Sequence, residues 1–274
     1  MHQFANLRLK ITALKLICIF ATFLSLNSVS AQSGQALLLD GNSSYIAFSD
    51  TESLDYTNGF TISAWVYPVC SSNVAIVGKQ HCEDYGYYLG LREQSLLWSY
   101  NDERYCNNPN TLISDDSITI APDWYHLTVV HTDTAIFMYL DGKPISAHFR
   151  DGMISTIRNT RQPLVIGAYK FLNRTYGSFF AGLLDDVRIW QTALTPMEVR
   201  AAMRSDFLIR SDKLVLNLDM EGQPLGELTT LFNRLPGGSL MKGYSQGQGT
   251  PQLVSLSNST ITYEDLVKSI QCNN

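Results

Sequence analysis

The segment spanning residues 182–199 constrains the fold most, because it joins a strand pattern directly to a helix start. Its first part, GLLDDVRIW, is rich in apolar and β-branched residues, which favour a buried strand. Two adjacent carboxylates, Asp185 and Asp186, interrupt this strand. Regular alternation of side chains would place the two carboxylates on opposite faces of the sheet.

A helix start follows the strand. Thr195 and Glu198 have the spacing of a capping box, in which each side chain bonds the backbone N–H of the other residue. Pro196 stands between them at the first helical position, where its missing N–H costs nothing. The sequence therefore predicts one short helix that runs to about Arg204.

Upstream of this segment, short strand patterns separated by turn residues follow one another from Gln35 onward. Between two of them stands Asp141-Gly142, a pair favoured in tight hairpin turns. Many short strands with a single helix at the end predict an all-β fold of two packed antiparallel sheets. The strand patterns are Ala36–Leu39, Tyr45–Phe48, Phe60–Tyr67, Val74–Gly78, Tyr85–Leu91, Ser95–Tyr100, Ile118–Ile120, Trp124–His131, Ala135–Leu140, Pro144–Phe149 and Leu164–Gly167.

The N-terminus has the pattern of a cleaved secretory signal over residues 1–31. Three basic residues precede an apolar run at residues 16–26, and small residues lead to Ala31, where cleavage is expected. The apolar run is shorter than the ~20 residues that a membrane-spanning helix needs. We expect a secreted or cell-surface protein that does not span the membrane.

The charge of the chain excludes one class of partner. The 20 Lys and Arg against 25 Asp and Glu give a net charge of −5, and loss of three basic residues with the signal leaves −8. Such a surface repels a nucleic-acid backbone, so no nucleic acid is expected. It is compatible with calcium and with neutral or cationic ligands.

The length that remains fits one sandwich better than two domains. We assign residues 32–205 to this sandwich and residues 206–274 to a C-terminal extension with a Gly/Ser-rich tail. Leu214–Leu218 in the extension either joins the sandwich as an added strand or is the stub of a missing part.

Four cysteines follow the signal segment, and two of them predict a disulfide. Cys82 and Cys106 flank two successive strands, which begin and end at the same edge of a sheet, so their thiols should meet. The alternative is a metal site with His81, but it lacks a fourth ligand and a CxxC pair.

Five motifs precede the closing segment in a fixed order: ALLLDGNSSYIAF, NGFTISAWVYP, DWYHLTVVH, MYLDGKPI and PLVIGA. With GLLDDVRIW they resemble the laminin-G-like jelly roll of the concanavalin A-like lectin/glucanase superfamily, as found in secreted bacterial proteins. The resemblance implies a two-sheet antiparallel jelly-roll sandwich with one short helix after the closing strand. It also implies that Trp124 is buried.

The resemblance further implies a calcium ion at the edge of the sandwich. Asp186 matches the family's carboxylate in the closing strand, and Asp40 and the Gly59 carbonyl match its early contributors. Hard oxygen ligands from distant loops are what Ca²⁺ requires. Alternatively, Asp40 is a turn residue, and the closing-strand aspartates cap loop N–H groups.

Aromatic and polar residues crowd the chain between Tyr85 and Tyr105. Aromatic faces stack on sugar rings while polar neighbours bind the hydroxyls, so we expect Tyr85, Asp102, Arg104 and Tyr105 to bind a ligand. Alternation directs about half of the aromatic set, including residues of both strands, into the core.

Catalysis is not expected. Glycosidases of this superfamily use a strand with E-x-D-x-x-E or a close variant, whose carboxylates lie about 5 Å apart, and this sequence has no such strand. His126 and His131 project to opposite faces of one strand, so they do not share a ligand. We expect a non-catalytic, calcium-stabilised binding or adhesion module for a glycan or an extracellular or cell-surface protein. The alternatives are a structural spacer of a larger surface protein and a glycoside-active enzyme.

Overall fold

The computed structural model describes residues 34–70, 73–80, 84–101, 110–117, 123–171, 175–204, 208–236 and 241–256, with Asp265, Lys268 and Ile270. The chain divides into two units, Met1–Gln32 and Ser33–Asn274, and only the second is described below. The expected signal segment therefore lies outside the described residues.

Two large antiparallel sheets form the body of the described residues. In order of pairing, the first sheet contains β10 (Lys143–Ile145), β9 (Ile136–Leu140), β8 (Tyr125–His131), β3 (Phe60–Pro68), β15 (Ala181–Trp190), β1 (Gln35–Asp40), β20 (Gln252–Ser255) and β17 (Gly226–Glu227), and β16 (Leu214–Leu218) also pairs with β15. The second sheet contains β11 (Ala147–Asp151), β7 (Asn110–Ser117), β6 (Ser95–Tyr100), β5 (Gly86–Arg92), β4 (Val74–Gln80), β12 (Leu164–Ile166), β2 (Tyr45–Phe48), β19 (Lys242–Gln246) and β18 (Thr230–Phe232).

Three small elements complete the description. A two-stranded hairpin pairs β13 (Tyr169–Lys170) with β14 (Tyr176–Gly177). A short 3-10 helix spans Glu52–Leu54, and the helix α1 spans Pro196–Ala202.

The core lies between the two sheets and follows from alternation. On β3, the side chains of Phe60, Ile62, Ala64 and Val66 all point inward and are fully buried. The residues between them point to the outer face, which is the face turned away from the other sheet. The prediction of an all-β sandwich of two antiparallel sheets is confirmed.

The closing strand β15 is buried along all ten residues. It pairs with β3 on one side and with β1 and then β16 on the other, and α1 covers its outer face. A bulge interrupts it, because the register passes from Asp185 opposite Trp65 to Arg188 opposite Ser63. The bulged Asp186 has a φ of 47°, so the regular alternation expected at this point does not hold.

The helix α1 begins as the sequence predicts. The Thr195 hydroxyl accepts from the Glu198 N–H at 3.3 Å, and the Glu198 carboxylate accepts from the Thr195 N–H at 2.8 Å. The helix ends at Ala202, slightly before the expected end. Its Val199 packs over Trp190 on the outer face of the first sheet.

The C-terminal segment is part of the sandwich. The added strand expected at Leu214–Leu218 pairs with the closing strand as β16. The segment expected as a Gly/Ser-rich tail supplies β17 and β20 to the first sheet and β18 and β19 to the second. These strands are short and mostly polar, so their residue patterns do not predict strands. They form because β20 pairs with the edge of β1 and β19 pairs with the edge of β2.

The burial implied for Trp124 is wrong. Its side chain is only partly buried on the outer face of the first sheet, where its ring packs edge-on against Tyr67 with 5.6 Å between ring centroids. The fully buried tryptophans are Trp98 and Trp190.

The first prediction tests whether the C-terminal segment contributes to the core. Leu216→Ala on β16 empties a fully buried position and should lower the free energy of unfolding by ~2–5 kcal/mol. For a domain of this size, the melting temperature should fall by roughly 5–15 °C. Leu225→Ala is the control, since Leu225 lies in the same segment but is 56% exposed. Equal urea unfolding curves for the two variants would contradict the integration of this segment.

Candidate functional site

Asp40, the first predicted calcium ligand, caps its own turn. Its Oδ1 accepts from the backbone N–H groups of Asn42, Ser43 and Ser44 at 2.9 Å each and from the Ser44 hydroxyl at 2.7 Å. Burial raises the pKa of Asp40, but the hydrogen bonds outweigh it, so the pKa lies below its ordinary value of 3.8. The carboxylate therefore acts as a turn cap, which is the alternative that the sequence left open.

Asp186, the second predicted ligand, neutralises a buried guanidinium. Its Oδ1 lies 2.7 Å from Nη2 of Arg188, and both side chains are 1% exposed. Arg188 also donates from Nε to Asn217 Oδ1 and from Nη1 to the Ala202 carbonyl, each at 2.9 Å. The ion pair therefore joins the closing strand to β16 and to the end of α1.

The structure does not bring the three predicted calcium ligands together. Asp40 lies opposite Ala181, which is ~15 Å along the closing strand from Asp186. Gly59 lies beyond the other end of this strand, where a Cβ on it would be 2.8 Å from the Ala193 nitrogen. Within the described residues, no group of three or more His, Cys, Asp or Glu side chains could hold a metal ion. These three residues do not fit one ion, and calcium binding itself stays a prediction.

Several predicted residues fall outside the described ones. These are Asp102, Arg104 and Tyr105 of the ligand set and both cysteines of the predicted disulfide, Cys82 and Cys106. The described residues do not test these predictions. Cys70, which lies just after β3, is disulfide-bonded.

Tyr85, the remaining member of the predicted ligand set, lies just before β5 and is paired with an arginine. The guanidinium carbon of Arg158 lies 3.9 Å from the centroid of the Tyr85 ring, which is a close cation–π contact. Asn101 positions Arg158, because its Oδ1 accepts from the Arg158 N–H at 2.7 Å and its Nδ2 donates to the Thr156 carbonyl at 2.8 Å.

A chain of polar contacts leads from this pair to the β13–β14 hairpin. Asp84 Oδ2 accepts from the Thr160 hydroxyl at 2.7 Å and from Gln162 Nε2 at 3.0 Å. Lys170 Nζ in turn donates to Gln162 Oε1 at 2.9 Å. The contacts fix the irregular segment after β11 against the end of the second sheet.

Three aromatic rings continue this surface. Tyr88 points to the outer face of the second sheet, and its ring centroid lies 5.1 Å from that of Tyr169. Tyr169 contacts Phe171 at 5.2 Å, and Phe171 is 36% exposed. Gly90 makes room for Tyr88, because a Cβ at this position would lie 2.6 Å from the Tyr88 hydroxyl.

These residues together form what we call the aromatic–polar surface. It offers ring faces beside donors and acceptors of hydrogen bonds, which suits a ligand with both apolar faces and hydroxyls. Sequence reasoning missed most of it, since the hairpin has no strand pattern. The run AYKF directly after the motif PLVIG was the available signal. The members are Asp84, Tyr85, Tyr88, Arg158, Gln162, Tyr169, Lys170 and Phe171.

His131 holds the segment that carries Arg158. Its Nδ1 accepts from the Trp98 indole N–H at 3.0 Å, so Nε2 carries the proton and donates to the Ser155 carbonyl at 2.9 Å. Burial lowers the pKa of His131 to about 4, although the Ser155 hydrogen bond and the Asp133 charge oppose the shift. His131 faces the core, where it contacts Trp98.

His126 lies on the opposite, outer face of the same strand, opposite Trp65. It is fully buried, and burial, together with the charge of Arg188, lowers its pKa to about 3. The expected placement of the two histidines on opposite faces is confirmed.

The two histidines predict how stability depends on pH. Both stay neutral in the fold but have an ordinary pKa of 6.5 in the unfolded chain, so the unfolded chain binds more protons below pH 6.5. The histidines therefore do not reduce the free energy of unfolding above this pH. Toward pH 4 they lower it by up to ~1.4 kcal/mol per pH unit for each histidine. The free energy of unfolding, measured with urea across this pH range, should depend less steeply on pH in His131→Gln than in the wild type. An equal dependence on pH in His131→Gln and in the wild type would contradict this prediction.

Asp186 gives a third prediction. Asp186→Asn leaves the Arg188 charge buried without its counter-charge, so the free energy of unfolding should fall by ~3–5 kcal/mol in the presence of a calcium chelator. Asp212→Asn is the matched control, because this carboxylate also contacts an arginine but is 63% exposed. A variant that unfolds like the wild type in chelator, and has only lost a calcium-induced stabilisation, would make Asp186 a calcium ligand instead.

Comparison with known proteins agrees with this architecture. A family model described as the concanavalin A-like lectin/glucanases superfamily matches residues 40–200. A non-toxic nonhemagglutinin of Paraclostridium bifermentans is 27% identical over 123 residues, which are 43% of this chain and 10% of that protein. An adhesion G-protein coupled receptor V1 of Danio rerio is 25% identical over 144 residues, which are 51% of this chain and 2% of that protein. The chain thus spans a small part of these relatives.

A solved structure shares the fold. A candidate carbohydrate binding protein from Bacteroides ovatus superposes with a TM-score of 0.61 at 15% identity, over 85% of this chain and 62% of that one. In the part of the chain that the structure describes, no helix is long and apolar enough to cross a membrane. The family match covers more than half of the sequence, from the first turn to the capped helix, and the chain belongs to the concanavalin A-like lectin/glucanases superfamily.

Proposed function

We propose that this chain is a secreted, non-catalytic module that binds carbohydrate, and that the aromatic–polar surface holds the glycan. The observation that carries the proposal is the row of polar contacts between Tyr85 with Arg158 at one end and Tyr169 with Phe171 at the other. A sugar ring has apolar C–H faces and a rim of hydroxyls, and this surface offers partners for both.

The side chains of the aromatic–polar surface are preorganised for binding. The Arg158 guanidinium lies against the Tyr85 ring. Gln162 donates to Asp84 and Lys170 donates to Gln162, so little side-chain freedom is lost on binding. This order favours selective binding over a merely adhesive apolar patch.

Binding is favoured over hydrolysis by the state of the carboxylates. Asp84 accepts hydrogen bonds from Thr160 and Gln162 and from the Tyr85 N–H, so both of its oxygens already hold parts of the fold together. Asp185 and Asp186 are 2% and 1% exposed, so a substrate does not reach them. A spacer would have no use for an ordered aromatic–polar surface.

Two further findings support the proposal. The solved structure that shares the fold belongs to a candidate carbohydrate binding protein. The disulfide at Cys70 fits secretion into an oxidising compartment, as does the signal pattern of residues 1–31. Calcium at Asp40, Gly59 and Asp186 is not part of the proposal, because these residues do not form one site.

The test is affinity electrophoresis of the full chain in gels that each contain one soluble polysaccharide: xylan, arabinan, galactan, mannan, dextran or pectin. Runs with calcium and with chelator show whether the ion matters. Retardation in at least one gel is expected, and Phe171→Ala and Arg158→Gln should each weaken it about 5–10-fold through loss of a stacking or charged contact.

Met197→Ala is the matched control, since Met197 is 72% exposed on α1, on the outer face of the first sheet. It should migrate like the wild type. No retardation in any gel, or equal retardation of Phe171→Ala and the control, would reject carbohydrate binding at this surface.

A further inference from the structure

A row of residues crosses the second sheet from Tyr88, which is one end of the aromatic–polar surface. The register pairs Tyr88 with Gly78, Gly78 with Val165, Val165 with Ala47, and Ala47 with Tyr244. Residues that are paired across strands share a face of the sheet. Both tyrosines therefore project from the same outer face, at opposite ends of a row with small side chains in its middle.

The middle of the row carries packed aromatic rings. Tyr45 and Tyr176 are stacked with 4.3 Å between their ring centroids, and Phe179 lies 6.2 Å from Tyr45. They cover Val165 and Ala47 on the outer face. The outer face of this sheet is thus aromatic between its two ends as well as at them.

The far end of the row is exposed. Tyr244 is 50% exposed and Phe232 is 36% exposed, and both lie on the β18–β19 hairpin. Tyr244 pairs with Thr230, and Phe232 pairs with Lys242, so the two rings are diagonal neighbours on one face. Lys242 Nζ lies 5.3 Å from the centroid of the Phe232 ring. This end therefore repeats the combination of aromatic ring and cation found at Tyr85.

We infer that the second sheet binds a glycan chain along its length rather than a single terminal sugar, with Tyr244 and Phe232 as a second contact region. The inference rests on the proposed function of the aromatic–polar surface. Four interstrand steps separate Tyr88 from Tyr244, which is ~19 Å. A sugar unit in a linear chain is about as long as one such step, so the two regions are about four units apart.

The second contact region lies outside the part of the chain that matches the family model. The family match ends at residue 200, whereas β18 and β19 lie after it. A chain long enough to reach both regions gains the second contact as an intramolecular event, at a high effective concentration. Affinity should therefore depend on the length of the glycan.

The experiment uses oligosaccharides, from disaccharide to octasaccharide, cut from the polysaccharide that retards the wild type most strongly among the six gels. Titration calorimetry of the full chain should show affinity that rises about tenfold or more once the chain exceeds about four units. Tyr244→Ala should abolish this rise and leave the disaccharide affinity unchanged, whereas Tyr244→Phe should retain the rise.

Phe137→Ala is the matched control, because Phe137 is 49% exposed and lines a groove of about 330 Å³ at the opposite edge of the sandwich. An affinity that does not depend on length, or a Tyr244→Ala variant that behaves like this control, would overturn the inference. Loss of binding in Phe171→Ala would still support the proposed function in that case. Failure of every polysaccharide to bind would reject both.

Discussion

The buried ion pair between Asp186 and Arg188 is the interaction on which the rest of the structure depends. It lies at the bulge of the closing strand, where four elements meet: β3, β15, β16 and the end of α1. Removing two charges from water is unfavourable, and the pair is tolerated because Asn217 Oδ1 and the Ala202 carbonyl accept further hydrogen bonds from the guanidinium. The backbone of Asp186 adopts a left-handed conformation, which places its carboxylate beside the guanidinium. A geometric requirement of one residue thus determines how the helix and the C-terminal strand are attached.

The aromatic–polar surface depends on a second set of buried polar contacts. The segment between β11 and β12 contains no regular secondary structure, so side chains must hold its backbone. His131 binds the Ser155 carbonyl, Asn101 binds the backbone on both sides of residue 157, and Lys79 donates to the Thr160 carbonyl at 2.5 Å. Lys79 is 1% exposed and lies 2.7 Å from both Asp50 and Asp55, which balance its charge. An irregular segment held in this way can present a defined set of donors to a ligand.

The sequence predicts those parts of the fold whose signal is local. The capping box at Thr195 and the Asp141-Gly142 turn, in which both residues have positive φ, are read from neighbouring residues and are confirmed. The β13–β14 hairpin and the strands β17, β18, β19 and β20 are not predicted from the sequence, because short polar strands are ordered by the edges that they pair with. The candidate site shows the same limit: Tyr85 was expected from its aromatic neighbourhood, but Arg158 reaches it only through long-range contacts. Whether Asp186 meets a metal ion or an arginine also depends on burial, which a single sequence does not express.

The pairing of β1 with β20 has a consequence for the order of folding. Gln35, in the first described strand, pairs with Ser255 in the last, and β2 likewise pairs with β19, which is synthesised much later. The first sheet cannot reach its final set of strands until the chain has been synthesised as far as residue 255, and contacts of such large sequence separation slow folding. During translation the central strands would present unpaired edges and apolar surface, which is the state that chaperones recognise. The earliest strands of the described chain are therefore among the last to acquire all of their neighbours.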